Sequence, residues 1–353
     1  MQIHATNIRG LGASQVVVSF LDAYSRVSDY DDTIIHLPQK GILSNYIPKS
    51  GLLKRFRRVL PNGISRFIEC FFSFFYFSNM PTIVLGDIPL RGITNQIVLV
   101  HQPNLIYPKI NSNSSKSFNF RISRFLFSIN LKYVKKVIVQ TGAMALDMEA
   151  SYPKIKNKIV ITPQPVPNWL EKNVLKYNTD CKQNIKLFYP AAYYPHKKHN
   201  FLIKLNNFCR DNNIDFGHIE VWLTLDEKEF NPFETIKWVK NLGRLNSKEM
   251  NIYYQKADAL LFLSSIESYG LPLIEAISLN LPILTVDYPY SRWVCENNGF
   301  YFKGYSEKSF LKTLNKLVNN LSTKKKIDYS QQISKFPDSW EDIVKEFLKS
   351  LFN

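Results

Sequence analysis

The sequence predicts an α/β chain made of two doubly wound domains with parallel sheets. Three observations carry that expectation. The 353 residues amount to about two domains at roughly 150 residues each. Short Ile/Val/Leu-rich runs alternate with stretches of helical periodicity, the pattern of strands buried on both faces between crossover helices. That alternation stops at a proline-rich segment and then starts again. Hydrophobic residues make up 45% and charged residues 21%, an ordinary globular balance that excludes a wholly disordered chain.

In chain order, Gln2–Ala5 reads as the first strand, followed by Asn7-Ile-Arg-Gly-Leu-Gly12 and a helix over Ala13–Arg26. Val16, Val17, Phe20, Leu21 and Tyr24 repeat at core-facing spacing along that helix. Further strands are expected at Thr33–Leu37, Thr82–Leu85, Gln96–Val100 and Lys136–Gln140. Helices are expected between them over Gly63–Phe77, Phe118–Tyr133 and Gly142–Ser151. Thr162-Pro-Gln-Pro-Val-Pro-Asn168 then reads as a stiff, extended connection. The pattern resumes with strands at Ile185–Tyr189, Glu220–Leu225, Ala259–Leu263 and Pro282–Val286. Its helices are Phe201–Asn212, Ser247–Lys256, Leu271–Leu279 and Glu307–Leu321. Ser339 opens a final amphipathic helix as a cap. The expected boundaries are therefore 1–165 for the first Rossmann-like domain, 166–184 for a linker and 185–336 for the second domain. The last segment, 337–353, is a helix crossing back to the first domain. Two such domains facing across a cleft would place a ligand between them.

Composition also narrows the function. Cys70, Cys181, Cys209 and Cys295 are scattered with no C-x-x-C pair, which argues against a disulfide scaffold or a cysteine zinc cluster and fits a reducing compartment. No basic-then-apolar leader and no run of about 20 apolar residues is visible, so neither a secretory signal nor a membrane span is read. The net charge of +16 is unevenly spread. Residues 1–160 hold 20 Lys+Arg against 8 Asp+Glu, a net +12, and residues 161–353 hold 25 against 21, a net +4. A basic first half calls for an anionic partner.

The segment richest in chemistry is Ala259–Val286. A buried strand ends near Ser264, the loop Ser265-Ile-Glu-Ser-Tyr-Gly270 follows, and Pro272 stands near the start of a helix that stops at Asn280. A glycine loop before a helix offers free N–H groups and a positive dipole end to a phosphate. Glu267 and Glu275, eight residues apart, suit the hydroxyl pairs of a sugar and a ribose. The plain alternative is a pair of solvent-exposed glutamates near a helix start.

Glu267-Ser-Tyr-Gly-Leu-Pro-Leu-Ile-Glu275 resembles the E-x7-E motif of retaining glycosyltransferases with the GT-B fold, in particular glycosyltransferase family 4, departing from its usual form only by Tyr269 at the aromatic position. The likeness is strong over 185–320 and weak over the first half. It implies that the loop in Leu187–Asn200 brings a lysine to the donor's diphosphate. Lys197 is the first choice and Lys198 the alternative. The family's arginine has no clear counterpart, Ala191 and Ala192 standing near its place. Arg244 or another basic residue replaces it, or one cation plus the helix N-terminus suffices.

The resemblance further implies that His101, at a strand end, contacts the transferring sugar, unless it is a structural loop cap. Gly12, with Gly10, would correspond to the family's glycine loop. The implied catalytic residues are thus His101, Lys197 and Glu267. The implied donor-binding residues are Gly12, Lys198, Arg244, Tyr269, Gly270, Leu271 and Glu275. No cofactor and no metal is implied, and Asp29-Tyr-Asp31-Asp32 is read as solvated surface. His4 and His36 are read as structural, and the spacing of His196 and His199 around Lys197 does not suit metal ligands.

Lys49–Phe77 carries six Lys+Arg before Glu69, its one acidic residue, and then a dense run of Phe. That order suits contact with anionic lipid headgroups, the alternative being a core helix beside exposed charges. The combined expectation is a bacterial-type hexosyltransferase. It would move a sugar from a nucleotide-sugar donor to a lipid-linked or lipopolysaccharide-type saccharide, in O-antigen or other polysaccharide assembly. It would work in the cytoplasm, peripherally on the inner face of the cytoplasmic membrane. Rival readings are another enzyme on the same fold, such as a nucleotide-sugar epimerase or soluble glycan synthase, and a non-catalytic protein that binds anionic lipid or nucleic acid. No nucleic-acid partner is expected, because no recognised binding module appears.

Overall fold

The computed structural model describes residues 1–8, 11–27, 32–56, 62–106, 118–171, 184–323 and 327–353. Gly10, Asp29 and Asp31 of the D-x-D run, Arg57 and Arg58 of the basic stretch, Cys181 and most of the expected linker lie outside them. The chain divides into two compact units: Met1–Pro165 with Pro337–Asn353, and Val166–Phe336.

The first unit holds β1 (Gln2–His4), β2 (Ile34–Pro38), β3 (Leu52–Phe56), β4 (Thr82–Val84), β5 (Gln96–Leu99), β6 (Val134–Val139) and β7 (Ile159–Ile161), in the order β3-β2-β1-β4-β5-β6-β7. Among the described residues every pairing is parallel, so this is a doubly wound sheet whose direction of growth reverses between β1 and β4. Helix Leu11–Val27 covers one face and packs on the C-terminal helix Trp340–Phe352. The Phe20 and Phe347 rings meet at 5.0 Å. Val344, Phe347 and Leu351 lie in the same buried cluster as Ile3 and Ile83. Ser339 caps this last helix through the Asp342 N–H. The crossing helix expected from the sequence is thus part of the first core.

The second unit holds β8 (Ile185–Tyr189), β9 (Ile219–Leu223), β10 (Val239–Asn241), β11 (Ala259–Phe262), β12 (Ile283–Val286) and β13 (Phe300–Phe302), in the order β10-β9-β8-β11-β12-β13 and again parallel among the described residues. All residues of β9, β11 and β12 are buried, as strands covered on both faces require. The helix after β11, Leu271–Ser278, buries six of its eight residues. Asn280 closes it at φ 53°, the left-handed conformation that asparagine tolerates better than most residues.

The strands β3, β7, β10 and β13 were not visible in the sequence. Three of them span three residues and give no usable periodicity. The fourth, β3 (Leu52–Phe56), is a sheet edge holding Lys54 and Arg55, charges that protect an edge and hide its strand character. The helix expected over Gly63–Phe77 is broken at Phe72 into Asn62–Phe71 and Ser73–Tyr76. The Ser73 hydroxyl bonds the carbonyls of Cys70 and Arg91 at 3.0 Å each, the local competition that diverts serine from a helix interior. Glu69, Cys70, Ser73 and Phe77 face inward, and Phe72, Phe74, Phe75 and Tyr76 stay on the surface. Glu69 is fully enclosed with His4 (Nε2 to Oε1, 2.9 Å) and accepts a bond from Thr6.

Candidate active site

The growth of the second sheet reverses between β8 and β11. In an open parallel sheet the loops leaving such neighbouring strand ends splay apart and leave a crevice for a ligand. The loop after β8 carries Lys197 and the loop after β11 carries Glu267. These side chains form an ion pair, each only about one-seventh exposed (15% and 13%). The Lys197 ammonium also lies 5.5 Å from the centre of the Phe262 ring.

Backbone bonds stitch the two loops together. The His196 carbonyl accepts from the Ser265 N–H at 2.7 Å and from the Ser265 hydroxyl at 3.1 Å. Tyr189 donates to the Lys197 carbonyl, and Tyr305 to the Leu263 carbonyl at 2.8 Å. Gly270 precedes the Leu271–Ser278 helix at φ 78°, ψ 56°. A Cβ there would also sit 3.2 Å from Leu273 Cδ1, so glycine suits the position both by its backbone and by its lack of a side chain. Among the described residues, the N–H groups of Gly270 and Leu271 have no acceptor. The Tyr269 ring is buried edge-on to Phe336.

Glu275 stands one turn further along, 6% exposed. The Tyr254 hydroxyl, from helix Ser247–Lys256, donates to its Oε2 at 2.5 Å. Burial pushes the Glu275 carboxyl up to about 7, against the Tyr254 bond that favours its anion. Nothing local in Asn-Ile-Tyr-Tyr-Gln-Lys marked Tyr254, which lies 21 residues before its partner.

The two lysines of the pair Lys197-Lys198 diverge. Lys198 adopts φ 55° and points past Tyr305, 5.9 Å from that ring. It lines a cavity of about 480 Å³ with Tyr194, Asn200 and Lys204. Arg244 lies on an exposed loop after β10, paired with Asp226 at 2.5 Å. Beside Lys197, the buried imidazole of His199 packs between Tyr189 and Tyr193, and burial with the nearby Lys197 charge lowers it to about 4.

Gly12 and His101 belong to the first unit. Gly12 is the second residue of helix Leu11–Val27, in open space. His101 follows β5, and its backbone N–H donates to Asp87 Oδ1 at 2.6 Å, as does that of Gln102 at 2.9 Å. Its ring Nε2 is buried with no hydrogen-bond partner among the described residues. Burial lowers its basicity, and Asp87 and the Leu85 carbonyl oppose that fall. Asp87, at φ 68°, was not singled out in the sequence. A non-glycine residue in that conformation leaves no simple sequence signal.

Residues 230–333 match the family described as glycosyl transferases group 1. With its two Rossmann-like parallel-sheet domains, the chain has the GT-B fold. It is similar to the O-antigen chain mannosyltransferase RfbU of Salmonella typhimurium, with 26% identity over 335 residues, covering 89% of this chain and 90% of that protein. Among solved structures, sucrose-phosphate synthase from Thermosynechococcus elongatus superposes over 99% of this chain and 97% of its own with a TM-score of 0.74 and 11% identity. WaaG, a glycosyltransferase involved in lipopolysaccharide biosynthesis, superposes over 99% and 94% with a TM-score of 0.64 and 12% identity.

Proposed function

We propose that this chain is a retaining, metal-independent family 4 glycosyltransferase that moves a hexose from a nucleotide-sugar to a lipid-linked or lipopolysaccharide-type saccharide. The observation that carries the reading is the pairing of Lys197 with Glu267 at the reversal of the second sheet, beside the unpaired N–H groups at the start of Leu271–Ser278. The names of the similar proteins favour mannose as the sugar and an O-antigen chain as the acceptor. In the ground state Glu267 neutralises Lys197. A donor diphosphate arriving between the loops would draw the ammonium onto its oxygens and free Glu267 to accept hydroxyls of the sugar.

As the bond from the anomeric carbon to the phosphate oxygen breaks, negative charge collects on the diphosphate, and Lys197 and the helix N-terminus stabilise it. The acceptor oxygen bonds the same face of the anomeric carbon, and its proton passes to the departing phosphate oxygen. His101 would touch the transferring sugar, and Glu275 the ribose. Lys198 and Arg244 would play at most an outer role in donor binding, since Lys198 lies by the Tyr305 ring and Arg244 pairs with Asp226.

The first unit would meet an anionic membrane surface through Phe72, Phe74, Phe75 and Tyr76, which are 36%, 48%, 74% and 52% exposed. Exposed aromatics beside arginines and lysines suit the boundary between headgroups and acyl chains. Among the described residues no helix is long and apolar enough to cross a membrane.

The test is a melting-temperature screen of the purified protein against UDP-, GDP-, ADP- and dTDP-sugars, with Lys197→Ala in parallel. A ligand that binds only the folded state raises the melting temperature. One nucleotide class is expected to do so in the native chain and to do so far less in Lys197→Ala. No rise with any of the four classes would refute a donor site here.

A further inference from the structure

We propose that Tyr254 is a positioning residue for the donor: its hydroxyl holds Oε2 of Glu275 so that Oε1 is presented to the ribose hydroxyls of the nucleotide. This deepens the donor-site reading above and rests on it. The geometry is specific. Tyr254 is fully buried on helix Ser247–Lys256, its ring is held edge-on against Phe188 at 5.0 Å, and its hydroxyl ends 2.5 Å from Oε2. A phenol so confined has little freedom to release the carboxylate, and the carboxylate has one oxygen committed before any ligand arrives. The hydroxyl therefore fixes the rotamer of a side chain that would otherwise have several.

Other ionisable groups around Glu275 do not compete for this role. On the packed helix Pro289–Cys295, Tyr290 donates to the Ser264 carbonyl, Arg292 pairs with Asp287, and Cys295 lies beside Tyr301. On Ser247–Lys256, Tyr253 packs on Trp222, and Lys248, Glu249 and Lys256 are exposed. The strands β11 and β12 and the helix Ser330–Ile333 carry no ionisable side chain. Tyr254 is thus the group that directs this carboxyl, and its hydrogen bond opposes the rise that burial causes.

The pH response separates positioning from mere packing. Glu275 accepts ribose hydroxyls as an anion, so nucleotide affinity rises with pH through about 7. The Tyr254 bond favours the anion. Removing it moves that midpoint upward, and a more acidic phenol moves it downward.

The experiment measures binding of UDP, GDP, ADP and dTDP by calorimetry from pH 6 to pH 9. It compares the native chain, Tyr254→Phe, and Tyr253→Phe as a neighbour on the same helix. Tyr254→Phe is expected to weaken the nucleotide that binds by about tenfold at pH 7.5 and to shift the midpoint upward, with Tyr253→Phe unchanged. Native affinity and midpoint in Tyr254→Phe would overturn the positioning role and leave the donor site standing. Absence of nucleotide binding by the native chain would overturn both. If Tyr254→Phe does not fold, Tyr254→3-fluorotyrosine keeps the shape and sharpens the acid. A downward midpoint shift then supports the role, and an unmoved midpoint overturns it.

Discussion

Two helices, one in each unit, each bury a glutamate, and the partners differ. Glu69, on Asn62–Phe71 of the first unit, faces the imidazole of His4 and the hydroxyl of Thr6. Glu275, on Leu271–Ser278 of the second, faces a phenol. The Glu69 carboxylate is held by His4 and Thr6 of the β1 end, so it ties this helix to the sheet and serves as an anchor. A phenol gives a hydrogen bond but no counter-charge, so Glu275 keeps the penalty of burial and stays near neutrality in its proton affinity. The lesson is that burial alone does not distinguish a structural acid from a poised one. The chemistry of the nearest donor does.

The largest effect should come from removing the anchor. Glu69→Ala takes from His4 and Thr6 the buried acceptor they share, and each buried donor left unsatisfied costs about 1–3 kcal/mol. Urea unfolding should show that loss, with nucleotide affinity of the remaining folded protein unchanged. An equal loss of nucleotide affinity would erase the distinction between the two acids.

The next effect follows from the poised acid. Its carboxyl rises from 4.5 to about 7 on folding. Between those pH values the folded chain holds a proton that the unfolded chain has released. The Glu275 contribution is therefore favourable at pH 4.5 and below and is lost as pH climbs to 7, by about 3 kcal/mol at most. Glu275→Gln should flatten that part of the stability profile. Nucleotide binding should run the other way, improving as pH rises, because the ligand selects the anion.

The smallest effect tests what the anchor holds up. The helix bearing Glu69 leads directly into the exposed Phe72–Tyr76 ridge. Phe75→Ser should weaken sedimentation with phosphatidylglycerol vesicles by about tenfold, the worth of one partly inserted aromatic ring at ~1.5 kcal/mol, without changing the melting temperature. Undiminished vesicle binding would move the contact elsewhere on the first unit.

Much of this was legible in the sequence. The alternation of apolar runs exposed both sheets because their central strands are buried on two faces and so read as unbroken hydrophobic stretches. The segment from Ala259 to Val286 was legible down to its Asn280 stop, because glycine, proline and asparagine mark turn and cap positions by their own backbone limits. What escaped was non-local or short. Tyr254 meets Glu275 only through folding, Asp87 meets the His101 backbone across two strand ends, and strands of three residues have no period to detect. The divergence of Lys197 from Lys198 could not be read either, since it depends on a left-handed residue that is not glycine.

The helix Trp340–Phe352 is built into the first core, whereas the second unit is closed by Phe336. On the ribosome the order of completion is therefore inverted. The unit whose synthesis starts first must wait, with Phe20 and its neighbours uncovered, until the whole of the other has emerged and the last helix follows. The second unit can fold while the first is still unfinished, so the first unit keeps its apolar helix-binding face uncovered for the whole of that interval.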